Sequence, residues 1–116
     1  MIVKINDKEI EMHYSLRIYM LYEQIIGETL DYTKMENYTT LINLFYVSVL
    51  ASMQYHKMEL DLKIGDFIDW LDASGPLVIT EFSNWYTEQL MIQQELVQKQ
   101  NKDTKKKTKK KGESKN

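Results

Sequence analysis

Between Leu41 and Met53 the chain reads LINLFYVSVLASM, interrupted only by Asn43, Ser48 and Ser52. At the 3.6-residue period of a helix, Leu41, Ile42, Leu44, Phe45, Val47, Val49, Leu50 and Met53 leave almost no polar face. A helix that is apolar all round is either central to its fold or covered by a partner. The run falls well short of the roughly 20 residues needed to span a bilayer. With 116 residues the chain has enough material for one compact domain and too little for two ordinary ones. Complete enclosure of one helix is difficult at this size, so the segment points to self-association. Thr39 or Thr40 is the expected cap of a helix from Leu41 to Tyr55.

The flanking sequence supplies candidates to cover that helix. Val3 and Ile5, then Ile10, Met12 and Tyr14, alternate with polar residues, the period of a half-buried strand. Asn6-Asp7-Lys8-Glu9 lies between them, so residues 2–14 read as a β-hairpin. Ser15 is the expected N-cap of a helix from Leu16 to Ile26, ended by Gly27. Its buried face is expected to hold Ile18, Leu21, Tyr22 and Ile25. Residues 28–38 suggest a short helical turn within a loop. A third helix is expected from Gly65 to Ala73, with Asp61 or Asp66 stabilising its N-terminal end. Ser74-Gly75-Pro76 ends it, and a last helix runs from about Leu77 to Gln98. Phe82, Trp85, Tyr86, Leu90, Gln93 and Val97 mark its seam, which four glutamines dilute towards the end.

Charge divides the chain unevenly. From Asn101 to Asn116 there are 8 Lys against Asp103 and Glu113, a local net of +6. Residues 1–100 carry a net of −8 within a total of −2. The tail has no apolar residue to bury, so it is expected to be disordered, with the folded unit ending near Lys99. It reads either as a solubilising terminus or as a contact for nucleic acid or another polyanion. It lacks aromatic residues for stacking and Arg for bidentate base readout. In the chain as a whole, 43% hydrophobic and 28% charged residues fit a globular domain. The N-terminus has no basic region followed by an apolar one, so no secretory signal is expected.

The inventory for catalysis is thin. Without cysteine there is no disulfide, thiolate metal site or thiol nucleophile. His13 and His56 stand in no metal-ligand spacing, and the glycines at 27, 65, 75 and 112 are isolated rather than gathered in a phosphate loop. The acidic set Asp61, Asp66, Asp69 and Asp72 lacks the glycine and terminal glutamate of a calcium loop and reads as a solvated face. No catalytic residue, metal or cofactor is therefore expected. The 8 Tyr, 7 Met, 3 Phe and 2 Trp suit either a core or a contact surface. The candidate interaction residues are Leu41, Phe45 and Val49 on the apolar helix, and Phe82, Trp85, Tyr86 and Leu90 on the last one.

The opening IVKINDKEIEMHYSLR, the helix with YEQIIGETL, the apolar LINLFYVSVLASM and the segment DFIDWLD follow one another in a particular order. Over most of residues 2–72 this order resembles the tail assembly chaperones of long-tailed bacteriophages. Glu23, Gly27, Phe67, Trp70 and Leu71 carry the resemblance, and Asn6-Asp7-Lys8 stands where Asn-Gly would be expected. It implies a non-enzymatic protein of the host cytoplasm, absent from the mature virion. Such a protein binds the tape-measure protein, keeps it soluble and assists tail tube assembly, with homo-oligomers and no membrane contact. Many members are made in two lengths by ribosomal frameshifting, the longer form reaching the tail tube protein. Lys105, Lys106, Lys107, Lys109, Lys110 and Lys111 require adenine-rich codons and mark a candidate junction. The alternative is a small nucleic-acid-associated or regulatory adaptor that works through the basic tail.

The expected fold class is α+β, mostly α-helical: an N-terminal β-hairpin, about four helices and a disordered Lys-rich C-terminal tail. Residues 1–99 form a single helical domain in this reading, and 100–116 the disordered basic tail.

Overall fold

The computed structural model describes residues 1–101, and it opens on the expected hairpin. Strand β1 (Ile2–Ile5) pairs antiparallel with β2 (Lys8–Glu11), Val3 opposite Ile10 and Ile5 opposite Lys8. The turn is tighter than the sequence suggested, because only Asn6 and Asp7 lie outside the strands. Both take positive φ, 50° and 64°, as the two central residues of a turn matched to strand twist must. Their short polar side chains tolerate this left-handed conformation better than most. One face of the hairpin buries Val3, Ile5 and Ile10. Beyond β2, the Met12 amide continues the pairing by donating to the Met1 carbonyl at 2.8 Å.

Helix α1 (Leu16–Ile26) has the expected bounds, and Gly27 closes it at φ 86° by donating to the Glu23 carbonyl at 3.0 Å. Ser15 occupies the N-cap position, but its hydroxyl makes no capping bond and is buried without a partner. The expected buried face is narrower than its periodicity implied. Ile18 and Tyr22 are buried and Leu21 half-buried, whereas Ile25 is exposed. A single 3₁₀ turn follows at Tyr32–Lys34, started by Asp31, whose carboxylate accepts from the Thr33 amide and hydroxyl.

Helix α2 (Tyr38–Tyr55) starts three residues before the expected Leu41. The reason is local: the Asn37 side chain accepts from the Thr39 amide at 3.0 Å, so Asn37 is the cap and both threonines lie inside the helix. Every residue from Leu44 to Met53 is buried. The chain itself encloses this helix, with α1 packed along it and β2 against it. Over Leu44–Met53 its apolar circumference is therefore covered from within the chain, the central placement of the two that the sequence allowed.

Helix α3 (Ile64–Ser74) stops at Gly75, and α4 (Leu77–Lys115) begins with the Pro76 carbonyl accepting from the Ile79 and Thr80 amides. Asp66 lies in the first turn of α3. Asp61 serves elsewhere: its carboxylate pairs with the Lys8 ammonium at 3.1 Å, fastening the hairpin to the segment before α3. Phe45 is the hub of the core. Its ring stacks on Phe82 at 4.3 Å and meets Phe67 edge-on at 5.1 Å.

Backbone proximity groups the chain into two units, Met1–Trp85 and Tyr86–Asn116. The expected disordered tail over 100–116 starts within α4 at Gln100 and Asn101, which are helical and exposed, and its remainder, 102–116, lies outside the described residues. The same holds for the candidate frameshift junction, Lys105, Lys106, Lys107, Lys109, Lys110 and Lys111.

Candidate protein-interaction surface

The residues that sequence analysis offered as a contact surface are mostly core. Phe45 and Val49 are wholly buried on α2, and Phe82 is wholly buried on α4. Trp85 and Tyr86 are also buried, while Leu41 and Leu90 are half-buried. Periodicity identified these side chains as apolar and facing something. The structure supplies that something for five of the seven from within the chain.

Leu41 leads to a different surface. The start of α2, the end of α3 and the start of α4 converge on two adjoining hollows, of about 250 and 330 Å³, that share Pro76 and Ile79. Ile42, Ile68 and Leu71 line the first, and Met35, Tyr38 and Leu41 line the second. Together they make one shallow groove, apolar in the first hollow and mixed in the second, which Glu36, Thr80, Ser83 and Asn84 also line. Tyr38 is 68% exposed and Ile68 41%, large apolar side chains left in water on a chain that buried so many others. The charged residues lining the groove are Glu36 and Asp72, both acidic. Local sequence explains the placement. Gly75, at φ 85°, turns the chain sharply between α3 and α4, and Pro76 then starts α4 beside the α3 terminus.

The groove was missed in sequence because its parts come from three separated segments. One signal was present: Ile68 and Asp72 stand four apart on α3, one residue on from the buried pair Phe67 and Leu71, so an apolar side chain is left outside the core stripe. A further apolar strip stands on α4, where Met91, Ile92, Leu96 and Val97 are each about half exposed.

The histidines have structural partners. The His13 ring stacks on Tyr55 at 3.6 Å, and the His13 amide donates to the Ser52 hydroxyl at 2.9 Å. The His56 ring nitrogen lies 2.9 Å from the Glu11 carbonyl. The acidic set is dispersed in role, with Asp61 paired to Lys8 and Asp66, Asp69 and Asp72 exposed along α3. Among the described residues no group of three or more potential ligands could hold a metal ion. Nor, among them, is any helix long and apolar enough to cross a membrane.

One polar cluster stands out. The hydroxyls of Tyr14 and Tyr19 share a hydrogen bond, and Tyr19 reaches Tyr32 at 2.5 Å. Burial, then the bond to Tyr19, pushes the Tyr14 phenol well above the usual tyrosine range. These phenols join α1 to the 3₁₀ turn, which makes them fasteners. No protein-family model, curated protein or solved structure matches this chain.

Proposed function

We propose that this protein is a non-enzymatic phage tail assembly chaperone that holds the tape-measure protein in solution while the tail tube assembles. The observation that carries the reading is the groove between α2, α3 and α4, where Tyr38 and Ile68 are exposed beside the half-buried Ile42 and Ile79, around an acidic rim. Such a groove suits one apolar face of a helix, recognised by side chains spaced three and four apart. The resemblance of residues 2–72 to tail chaperones supplies the client: a long, largely helical protein with many such faces. A small adaptor with a shallow groove gains hold of that client through many copies acting together rather than through tight single sites. In this reading it acts in the host cytoplasm and leaves before the virion matures.

The test is co-expression with the tape-measure protein of the same phage. The client is expected in the soluble fraction with the wild-type chain and in inclusion bodies with a Tyr38→Ser, Ile68→Asn variant. Both positions are exposed, so the variant keeps its core. A client equally soluble with wild type and variant would overturn the groove as its binding surface. A client equally insoluble with and without the wild-type chain would overturn the chaperone reading.

A further inference from the structure

The two hollows of the groove differ in chemistry, and the difference describes what fits them. Ile42, Ile68, Leu71 and Ile79 wall the first, with Asp72 also in its lining. The second combines Glu36 and Tyr38 with the polar Thr80 and Asn84, beside Met35 and Leu41. Glu36 and Tyr38 are both exposed. Neither Glu36 nor Asp72 forms an ion pair among the described residues, and neither Lys nor Arg lines either hollow.

An exposed carboxylate and an exposed aromatic ring in one hollow, with apolar wall beside them, match a long cationic side chain. Such a side chain lays its methylene stem on apolar surface and keeps its charge at a polar edge. Its cation is drawn both to the face of a phenol ring and to a carboxylate. Arginine meets the two demands together, because its planar guanidinium stacks on a ring and donates to both carboxylate oxygens. The lysine ammonium is a point charge with no face to stack.

We propose that the second hollow seats an arginine of the client helix, carried one turn away from an apolar residue that fills the first. This deepens, and rests on, the reading of the groove as a docking site for a client helix. Hollows that adjoin and share Pro76 and Ile79 are served by side chains three or four residues apart, which project from the same side of a helix. Glu36 and Tyr38 recognise the guanidinium, and Asp72 favours a further cation beside the apolar anchor. The surrounding charge favours the same occupant. Met1–Trp85 carries 6 Lys and Arg against 13 Asp and Glu, which steers a cationic segment in and turns an acidic one away.

Selection follows from the seat. Apolar contact in a shallow groove holds any amphipathic helix weakly, so the arginine decides which stretches of a long client are held. A stretch with glutamate at that place is refused, because two carboxylates would meet in one hollow. Charge at an exposed rim adds specificity and speed of encounter more than tightness, which suits a client that must later be released.

The experiment measures fluorescence anisotropy with the full chain and labelled helical peptides that share one Leu stripe. They differ only in the residue one turn from the central Leu, which is Arg, Lys, Gln or Glu. The Arg peptide is expected to bind roughly tenfold tighter than the Gln peptide, with Lys between them and Glu weakest. Raising the salt should narrow that gap. An acidic body attracts any cationic peptide, so variants at exposed positions locate the contact. Glu36→Gln should remove most of the Arg advantage and leave the Gln peptide unchanged. Tyr38→Ser should bring Arg down to Lys, and Ile68→Asn should weaken all the peptides alike. Circular dichroism checks that each variant folds.

Equal binding of the Arg and Gln peptides, equal binding of the Arg and Lys peptides, or an Arg preference that survives Glu36→Gln overturns the arginine seat. Peptides that then still bind, and still lose affinity with Ile68→Asn, leave the groove as a helix-docking site. If no peptide binds, or Ile68→Asn weakens none, the docking reading falls as well. Peptide affinity that drops as the protein is concentrated gives the groove to a second copy and likewise overturns the proposal.

Discussion

The indole nitrogen of Trp70 donates to the backbone carbonyl of Lys4 at 2.8 Å, tying α3 to the first strand of the hairpin across 66 residues of sequence. A two-stranded hairpin is marginal by itself in water, and this bond, with the Lys8–Asp61 pair, anchors it from outside its own sheet. Trp70→Phe keeps an aromatic ring beside Phe45 and Phe67 and deletes the donor. The expected loss is about 1 kcal/mol in urea denaturation. An unchanged midpoint would show that the bond contributes nothing net.

Phe45 belongs to the core rather than to a contact surface, and the two roles differ in what they cost. Truncation to Ala removes a ring that stacks on Phe82 and meets Phe67 and Trp70 edge-on, leaving a cavity at a wholly buried site. Phe45→Ala is expected to destabilise the fold by about 3–5 kcal/mol. An interface residue would instead leave the melting temperature in place and lower only association.

Two serines on the buried side of α2 are expected to respond in opposite ways. The Ser52 hydroxyl accepts from the His13 amide and donates to the Ser48 carbonyl, whereas the Ser48 hydroxyl is buried with no partner. Ser52→Ala strands the His13 amide at a cost of about 1–3 kcal/mol. Ser48→Ala removes an unsatisfied group and is expected to be neutral or stabilising. Chemical denaturation of both variants beside wild type reads the contrast directly.

Alkaline pH is expected to loosen the contact between α1 and the 3₁₀ turn. Burial raises the Tyr14 phenol above its ordinary value, so the unfolded chain gives up that proton at a lower pH than the folded one. The contribution is complete below the unfolded value of about 10 and is lost as pH rises through the folded one. Tyr14→Phe should flatten the alkaline fall in melting temperature. Burial also raises Tyr22 and Tyr46, so phenolate absorbance should show late-titrating tyrosines in the wild type and one fewer in the variant.

The hairpin turn leaves room for improvement. Asp7 sits at φ 64°, a conformation that glycine reaches without the crowding a Cβ brings. Asp7→Gly is expected to stabilise the protein by roughly 0.5–1 kcal/mol, read from thermal melts.

The elements readable in sequence are those whose signals are local. Gly27 ended α1 where a left-handed cap was needed, and Asn6-Asp7 turned the hairpin, because each needs only its immediate neighbours. Caps were less legible. Ser15 has the chemistry of an N-cap but is buried without using it, while Asn37 rather than Thr39 or Thr40 starts α2. Several residues within a turn can cap, and the backbone path chooses among them.

Sequence by itself determined that this chain makes a hairpin and helices, and which faces of those helices are apolar, since period and turn chemistry are properties of neighbouring residues. Tertiary structure alone decided what covers each face. It buried Phe45, Val49 and Phe82 inside the chain and left Tyr38 and Ile68 in the open. Apolar periodicity records that a side chain avoids water but not whether its cover comes from the same chain. That depends on how distant segments meet, here at the junction of α2, α3 and α4.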